Sequence, residues 1–401
     1  MRARRWTMLA GLVTAAAVLA GIGGTVSPAS GRTEGPAATN ATIKVGVIYS
    51  RTGLLSAYGA QYIQGLRLGL EYARRNGMLR GNTIELTAVD DATDPAKGVA
   101  AFRDLAGQGF KIITGSVSSG VALQLAPLAE QNRVLYISGP AATDAITGAN
   151  RYTFRSGRQT LQDVLAVKEI LGRAGAGRRI VVFAQDSAFG QGNFAAVRNV
   201  LGGRGHTVSS ILVPLSANDF TPFAQQARNA RPDLLFVAWA GTSAPAMWRA
   251  LEQQGVMRDV TVATGLAERA TWGSYAPGIN FLSHYTSASP RNAVNTWLVN
   301  RMKRRNQVPD LFHPDGFNAA LMIARAVTRG GGTNVGRMIA SLENWQFVGP
   351  KGVNRIRPQD HALLQPMFHV RLRQVGSRWQ AVPVKSFSPG NLQPPVTPFD
   401  D

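Results

Sequence analysis

Hydroxyl-bearing side chains follow two neighbouring apolar runs of the sequence, at the points where each run ends. Ser118 and Ser119 come after the run 110–113, and Thr143 comes after the run 134–138. A helical pattern separates the two runs, which predicts a βαβ unit with parallel strands. Both loops then lie at one carboxyl edge of a sheet. There, hydroxyl groups and free N–H groups at a helix start can bind a carboxylate or another polar, electron-rich group.

The two serines also permit a different interpretation, in which one of them is the nucleophile of a secreted serine hydrolase. They lie in a strand-to-helix turn between Gly115 and Gly120, but this turn contains no G-x-S-x-G. None of the five histidines is tied to the turn by a motif. We therefore predict a protein that is not an enzyme, and we keep the hydrolase as a remote alternative.

Metal and cofactor sites are not indicated by the sequence. No histidine or acidic cluster has the spacing of metal ligands, and Asp94 before Pro95 is typical of a helix cap. The first βα loop, 49–53, lacks the G-x-G-x-x-G that lets a backbone approach a dinucleotide. We predict neither a metal nor a cofactor.

The start of the chain has the order of a secretory signal peptide. A basic segment, 1–5, precedes an apolar stretch, 8–22, and small residues follow it. We predict a signal peptide over 1–29 and export to the periplasm or the extracellular space. A membrane anchor is the alternative, although the stretch is broken by glycine and short for a span. The chain has no cysteine, which excludes disulfides, thiolate metal sites and lipid anchoring through cysteine.

Composition places the chain among globular proteins and argues against nucleic acid as a partner. It has 401 residues, 45% of them apolar and 16% charged, which is long enough for two domains. The net charge is +20, but the basic residues are scattered, and their one cluster, 301–305, ends an amphipathic helix pattern. We interpret this cluster as a solvated helix face, because no nucleic-acid motif accompanies it.

Strand and helix patterns alternate along the chain in two series. Predicted strands cover 43–49, 84–89, 110–113, 134–138, 180–184, 208–213, 234–238, 260–263 and 368–372, and predicted helices include 193–202, 219–230, 291–305, 314–329 and 335–342. The alternation stops at 152–157 and begins again. Tyr58-Gly59 in the first series corresponds to Phe189-Gly190 in the second. This echo predicts two similar α/β lobes that face each other.

The order of these motifs resembles that of the periplasmic-binding-protein type I solute-binding proteins of ABC transporters, and the leucine/isoleucine/valine-binding type is the most similar branch. The resemblance covers about 43–372. Six pieces carry it, namely Tyr58-Gly59, the turn 90–95, the loop 115–120, the loop 140–143, the loop 189–192 and the segment 316–319. Each piece alone is weak, but six in order after a signal peptide form a specific pattern.

The resemblance implies an α/β fold of two Rossmann-like lobes with parallel-rich sheets, which a three-crossover hinge joins and which close on a ligand. The crossovers would lie near Ser156, Tyr285 and Gly349. Lobe 1 would then comprise 42–156 and 286–348, and lobe 2 would comprise 157–285 and 349–385, after a linker over 30–41. The segment 386–401 is rich in proline and has no periodicity, which predicts a mobile tail.

The resemblance also implies which residues hold the polar head of the ligand. By family position, Ser119 would hydrogen-bond a carboxylate of the ligand with the help of Thr143, and Ser118 is the alternative because the loop is one residue longer than usual. Ala141 and Ala142 would offer backbone groups to the substituents next to that carboxylate.

Aromatic residues would enclose the rest of the ligand, according to the same resemblance. Tyr58, Phe189 and Phe312 would pack against it or close over it, and ordinary core packing is the alternative for Phe312 and Tyr58. Trp239 and Thr242 would add aromatic surface and a polar group from the second lobe.

The sequence departs from the amino-acid-binding pattern at one informative position. Thr264 stands where that branch has an acidic residue that holds the α-ammonium group, and a buried ammonium without a counter-charge costs several kcal/mol. Glu268 lies four residues further on and could substitute if the loop curls back. The departure favours a ligand with a carboxylate or amide end and no ammonium, such as an aromatic or aliphatic acid, an amide or a modified amino acid. An unmodified branched-chain amino acid is the alternative.

The predicted function is therefore the binding of a solute and not the catalysis of a reaction. An exported monomer would bind a small solute between its lobes and deliver it to an ABC permease in the membrane. The closest alternative is a ligand-sensing receptor subunit of a signalling system, which would use the same fold and the same crevice.

Overall fold

The computed structural model describes residues 40–172, 177–203, 205–258, 260–275, 279–288 and 291–399. The predicted signal peptide over 1–29 and most of the predicted linker over 30–41 lie outside these residues. Within them, no helix is both long and apolar enough to cross a membrane.

The first sheet contains five parallel strands, which are β1 (Thr42–Tyr49), β2 (Thr83–Asp90), β3 (Ile112–Gly115), β4 (Leu135–Ser138) and β5 (Thr153–Arg155). Their order is β2-β1-β3-β4-β5. The connecting helices are α1 (Ser56–Arg75), α2 (Pro95–Gly107) and α3 (Ser119–Gln131). The predicted βαβ unit is confirmed, since β3 pairs with β4 in parallel and α3 connects them.

The second sheet contains seven strands. They are β6 (Arg179–Gln185), β7 (Thr207–Val213), β8 (Leu234–Ala238), β9 (Thr261–Gly265), β10 (Asn280–Ser283), β14 (Met367–Val375) and β15 (Arg378–Phe387). Their order is β15-β14-β10-β9-β8-β6-β7, and only the pairings of β14 are antiparallel. The helices in this part are α4 (Thr160–Leu171), α5 (Ala188–Leu201), α6 (Thr221–Asn229) and α7 (Ala244–Gln253).

The remaining helices and strands lie between β10 and β14 in the chain. They are α8 (Ala293–Lys303), α9 (His313–Gly330), α10 (Val335–Leu342), β11 (Gln346–Gly349), β12 (Gly352–Ile356) and β13 (Leu363–Leu364). Helix α9 packs along α1, and β11, β12 and β13 form a small antiparallel sheet. We call the five-stranded sheet with α1–α3 and α8–α10 the first lobe, and the seven-stranded sheet with α4–α7 the second lobe.

The chain passes between the two larger sheets three times, after β5, after β10 and before β14, as the predicted α/β fold requires. The third passage follows the small sheet, so the predicted lobe boundary at Gly349 falls within that sheet.

Two local predictions differ in outcome. Asp94 caps α2 as predicted, and its side chain accepts hydrogen bonds from the N–H groups of Ala96 (2.7 Å) and Lys97 (3.3 Å). Helix α5 begins earlier than the predicted residue 193, because the hydroxyl of Ser187 accepts a hydrogen bond from Gly190 N–H (3.2 Å) and so starts the helix at Ala188.

The tail that was predicted to be mobile makes specific contacts. Arg357 donates hydrogen bonds to the carbonyl oxygens of Pro394 (2.8 Å) and Pro395 (3.0 Å). Phe399 packs edge-on against His361, with 4.7 Å between ring centroids. Contacts of this kind would hold the tail against the rest of the protein, so its mobility stays a prediction that truncation can test.

Truncation after Leu392 is expected to lower the free energy of unfolding by about 2 kcal/mol, since hydrogen bonds to a charged group contribute roughly 1.5–3 kcal/mol. Urea unfolding followed by circular dichroism measures this change. Removal of residues 400 and 401 alone keeps every contact of the described tail and serves as the control. Equal stability of both truncated proteins and the full chain would support a mobile tail instead.

Candidate functional site

A cavity of about 280 Å³ lies where the carboxyl ends of both large sheets meet. Its walls come from the loops after β1, β2, β3 and β4 in the first lobe and from the loops after β6, β7, β8, β9 and β10 in the second. This is the edge at which open α/β sheets bind ligands. The volume is close to the lower end of the range for small-molecule sites.

Ser118 and Ser119 bring two hydroxyl groups to this cavity. Ser118 caps α3, and its oxygen accepts a hydrogen bond from Val121 N–H at 3.4 Å. The oxygen of Ser119 accepts a hydrogen bond from Thr143 N–H at 3.2 Å. Because both oxygens act as acceptors toward the protein, each hydroxyl proton is left for donation to a ligand.

Seven of the predicted site residues line the cavity, and they are Tyr58, Ser118, Ser119, Ala142, Phe189, Trp239 and Phe312. The loops after β1, β3, β4, β6 and β8, together with the residue before α9, bring them there. Their proximity to one another follows from the parallel order of the strands.

Four predicted residues do not line the cavity. Ala141 is fully buried, and its carbonyl oxygen accepts a hydrogen bond from Arg155 (2.7 Å). The hydroxyl of Thr143 accepts a hydrogen bond from Ala145 N–H (3.3 Å), while its backbone N–H donates to Ser119 and so holds that side chain. Thr242 is exposed. The hydroxyl of Thr264 donates a hydrogen bond to a carbonyl oxygen of β8 (2.8 Å), so its proton is not available to a ligand.

Aromatic side chains form an apolar wall that spans the cleft. Tyr58 and Phe312 make an edge-to-face pair in the first lobe, with 4.8 Å between ring centroids. Trp239 stacks on Phe183 of the second lobe at 5.8 Å. The Tyr58 hydroxyl accepts a long hydrogen bond from Gly241 N–H (3.5 Å), which joins the two lobes across the cleft.

Glu268, the proposed substitute for the missing acidic residue, does not line the cavity. It is buried, and its Oε2 has no hydrogen-bond partner among the residues that the structure describes. Burial raises its pKa, while a hydrogen bond from Tyr58 opposes that change. Burial also raises the pKa of Tyr58 well above its ordinary value, and the neighbouring charge of Glu268 adds to this effect.

Three further ionisable side chains line the cavity, and sequence reasoning missed them. Arg158 follows the first passage between the sheets, Asp163 lies in the first turn of α4, and His284 follows β10. We call these three residues the polar cluster. They are separated in sequence and belong to no motif, and the only signal was that Arg158 and His284 stand next to the predicted crossovers at Ser156 and Tyr285.

The polar cluster is buried and only partly hydrogen-bonded. Each of its three residues is at most 5% exposed. Arg158 donates to the carbonyl oxygen of Pro140 (3.0 Å), and its Nε lies 3.2 Å from Oδ2 of Asp163. Oδ1 of Asp163 is 3.8 Å from Nε2 of His284, which is too long for a hydrogen bond. In the described part of the chain, this Oδ1 and both ring nitrogens of His284 have no hydrogen-bond partner.

Burial also sets the charges in the cluster. It raises the pKa of Asp163 to about 6, while Arg158 lowers that pKa and Asp144 raises it. Burial lowers the pKa of His284 well below its ordinary value, and the positive charges of Arg158 and Lys351 add to this effect. His284 is therefore neutral at pH 7, with one ring nitrogen as a donor and the other as an acceptor.

A second group of buried charges lies close to the polar cluster. Asp315 of α9 is completely buried, and neither of its carboxylate oxygens has a hydrogen-bond partner among the described residues. Burial raises its pKa to about 6, although Lys351, Arg158 and Arg155 lower it. Lys351 is also completely buried and donates a hydrogen bond to Gln365. Within the described ranges, no three histidine or acidic side chains are grouped closely enough to hold a metal ion.

Comparisons with known proteins agree with this architecture. The sequence profile of the family described as "Periplasmic binding protein" matches residues 42–377. The Leu/Ile/Val-binding protein homolog 3 of Brucella melitensis is 23% identical over 308 residues, which cover 76% of this chain and 83% of the relative.

Solved structures are similar over most of the chain. An ABC-type branched-chain amino acid transporter protein from Rhodopseudomonas palustris superimposes with a TM-score of 0.74 and 32% identity, over 89% of this chain and 100% of the other. An R. palustris solute-binding protein of an ABC transporter, crystallised with 4-hydroxybenzoate, has a TM-score of 0.78 and 20% identity over 86% of this chain and 97% of the other. At that lower identity, the likeness shows the fold alone.

Proposed function

The chain belongs to the periplasmic binding protein family, and from this premise we propose that it captures a small solute with a carboxylate or amide end between its two lobes. The observation that carries the proposal is the cavity at the meeting edges of both sheets, into which Ser118 and Ser119 bring two available hydroxyl protons. A carboxylate there accepts both hydrogen bonds and faces the start of α3, which favours negative charge.

The absence of an acidic side chain at residue 264, together with the pairing of Asp163 with Arg158, supports a solute without an ammonium group. The hydroxyl of Thr264 is hydrogen-bonded within the second sheet, and Glu268 does not line the cavity. The aromatic wall suits an apolar body, and it supports an aromatic or aliphatic acid as the solute. Similar proteins exist for both alternatives, an amino acid and an aromatic acid. One is a Leu/Ile/Val-binding protein homolog, and another was crystallised with 4-hydroxybenzoate.

We further propose that the protein is exported, works as a monomer and delivers its solute to an ABC permease. Export to the periplasm or the extracellular space rests on the predicted signal peptide and on the family. Similarity to binding proteins of ABC transporters favours transport over the alternative of a sensing receptor that uses the same cleft. Anchoring through a lipidated cysteine is excluded, because the chain has no cysteine.

The geometry of the cavity opposes the serine hydrolase alternative. His284 lines the same cavity as Ser118 and Ser119, but neither of its ring nitrogens is within hydrogen-bond reach of a hydroxyl among the described residues. A nucleophilic serine requires such a base. Burial lowers the pKa of His284 so far that the imidazole is a poor proton acceptor at neutral pH.

Replacing Ser119 with alanine is expected to weaken solute binding by about 1–3 kcal/mol, since the carboxylate loses a buried hydrogen-bond donor. The solute is first identified by a thermal-shift screen over amino acids, aromatic acids, amides and short fatty acids. Isothermal titration calorimetry then compares the dissociation constants of the wild type and the variant.

Ser341→Ala is the matched control for this experiment. Ser341 donates a hydrogen bond to a carbonyl oxygen of α10 (2.7 Å) and does not line the cavity, so its loss should leave affinity unchanged. An unchanged dissociation constant in Ser119→Ala would place the head of the solute elsewhere. Stabilisation by leucine, isoleucine and valine alone would contradict the proposal of a solute without an ammonium group.

A further inference from the structure

The polar cluster leaves hydrogen-bonding groups unpaired inside the cavity. Arg158 donates through Nη1 to Pro140, whereas its Nε lies 3.2 Å from Oδ2 of Asp163 and has no hydrogen-bond partner among the described residues. Oδ1 of Asp163 and both ring nitrogens of His284 are likewise unpaired within the described chain. Buried polar groups in native proteins are almost always paired, so this concentration at one wall of a binding cavity indicates a missing partner.

The charges of the cluster restrict what that partner can be. Arg158 and Asp163 form an ion pair, and His284 is neutral. A carboxylate at this position would meet the negative charge of Asp163, and an ammonium group would meet the positive charges of Arg158 and the nearby Lys351. An uncharged group avoids both conflicts.

The unpaired atoms also define the hydrogen-bonding character of the partner. The guanidinium of Arg158 can only donate, Oδ1 of the Asp163 carboxylate can only accept, and neutral His284 offers one donor and one acceptor. A hydroxyl group fits this set, because it donates one hydrogen bond to Asp163 and accepts others from Arg158 and His284. An ether oxygen can accept but cannot satisfy Asp163.

We propose that the polar cluster is a second recognition subsite, which binds a hydroxyl group at the end of the solute that points away from its carboxylate. This inference rests on the proposed function, which places the carboxylate at Ser118 and Ser119. The body between the two polar ends packs against the aromatic wall that Tyr58, Phe312 and Trp239 form. The solute is then a hydroxy acid, and an aromatic hydroxy acid matches the wall best.

Calorimetric titration of the purified protein with matched acids tests this subsite. The aromatic set is benzoate, 4-hydroxybenzoate and 4-methoxybenzoate, and the aliphatic pair is hexanoate and 6-hydroxyhexanoate. We expect the hydroxylated acid of at least one set to bind at least about tenfold more tightly than its unsubstituted partner, because sites that pair a hydroxyl discriminate strongly against its absence. 4-Methoxybenzoate should bind no better than benzoate.

Two substitutions connect this preference to the cluster. His284→Phe keeps a ring of similar shape and removes both nitrogens, and Asp163→Asn keeps the size of the side chain. Each is expected to weaken binding of the hydroxylated acid about tenfold and to leave the unsubstituted acid within about twofold. Ser119→Ala should weaken both acids of a pair by the same factor, since it acts on the shared carboxylate.

The outcomes separate the subsite from the proposed function. Equal affinity of the wild type for both members of every pair overturns the subsite and leaves the capture of acids intact. A hydroxyl preference that survives both His284→Phe and Asp163→Asn also overturns it. Failure of the wild type to bind any of these acids overturns the subsite, whereas the proposed function fails only if the wider thermal-shift screen over amino acids, aromatic acids, amides and short fatty acids also finds no ligand. The wild-type comparison needs no variant, so it decides the question even where a substitution prevents folding.

Discussion

Replacing Gly316 with alanine is expected to lower the free energy of unfolding by about 3 kcal/mol or more. Gly316 lies on α9 where this helix crosses α1, and a Cβ at this position would lie 2.7 Å from Leu66 N and closer still to the carbonyl oxygen of Tyr62. Overpacking typically costs about 1–3 kcal/mol. The effect should reach the top of this range, because the clash involves the backbone of α1 and not a side chain that can turn away.

Gly192 of α5 supplies the matched control. It also lies inside a helix, but a Cβ there would meet nothing within 4 Å. Gly192→Ala should therefore stabilise the protein by about 0.5–1 kcal/mol through helix propensity and a less flexible unfolded chain. Urea unfolding followed by circular dichroism measures both variants. Equal stability of Gly316→Ala and the wild type would show that α1 and α9 can separate without cost.

The crossing of α1 and α9 also matters for the cavity. Tyr58 lies in the first turn of α1, and Phe312 immediately precedes α9, so their aromatic contact depends on the close approach of the two helices. A shift of α9 that accommodates a Cβ at Gly316 would separate these rings. We therefore expect any Gly316→Ala protein that folds to bind solute more weakly than the wild type.

The sequence was sufficient to predict the parts of the fold that depend on local patterns. Apolar runs of strand length alternate with helical periodicity, and this order specifies parallel strands and the shared edge to which Ser118 and Ser119 belong. Asp94 before Pro95 marked the start of α2 correctly, since a cap is decided by neighbouring residues. The strand β5, only three residues long, fell where the predicted alternation stopped.

Other features depend on contacts between remote segments, which no local pattern records. The residues next to Arg158, Asp163 and His284 in the sequence form no motif. These three side chains meet at one cavity wall only because the chain passes between the two large sheets near them. The hydroxyl of Thr264 donates a hydrogen bond to a carbonyl oxygen of the adjacent strand, which lies 27 residues away in sequence. Gly316 belonged to a motif of the family resemblance, but its physical role, the close crossing of two helices, became clear only from the backbone of α1.

Asp315, the residue before Gly316, gives the second large prediction. Burial raises its pKa from 3.8 to about 6, against the lowering effect of Lys351, Arg158 and Arg155. The folded protein therefore holds a proton on Asp315 at pH values where the unfolded chain has released it. Stability from this group is present below about pH 4, falls as the pH rises toward 6 and is constant above that. The displacement of the pKa corresponds to about 3 kcal/mol.

Asp315→Asn removes this dependence, because asparagine resembles the protonated acid at every pH. The difference in free energy of unfolding, variant minus wild type, is expected to rise by about 3 kcal/mol between pH 4 and pH 7. Urea unfolding at a series of pH values measures it.

Asp90→Asn provides a comparison of opposite sign. Burial alone would raise the pKa of Asp90, but hydrogen bonds from Thr52, Ala92 and Arg51 hold it at about 2. Asp90 therefore contributes stability above pH 4 that is lost as the pH falls toward 2, so Asp90→Asn should be destabilising at pH 7 and less so at pH 3. If the Asp315→Asn difference instead stayed constant with pH, the pKa of Asp315 would be the same in the folded and the unfolded protein. Its attraction to Lys351 and the neighbouring arginines would then balance the cost of its burial.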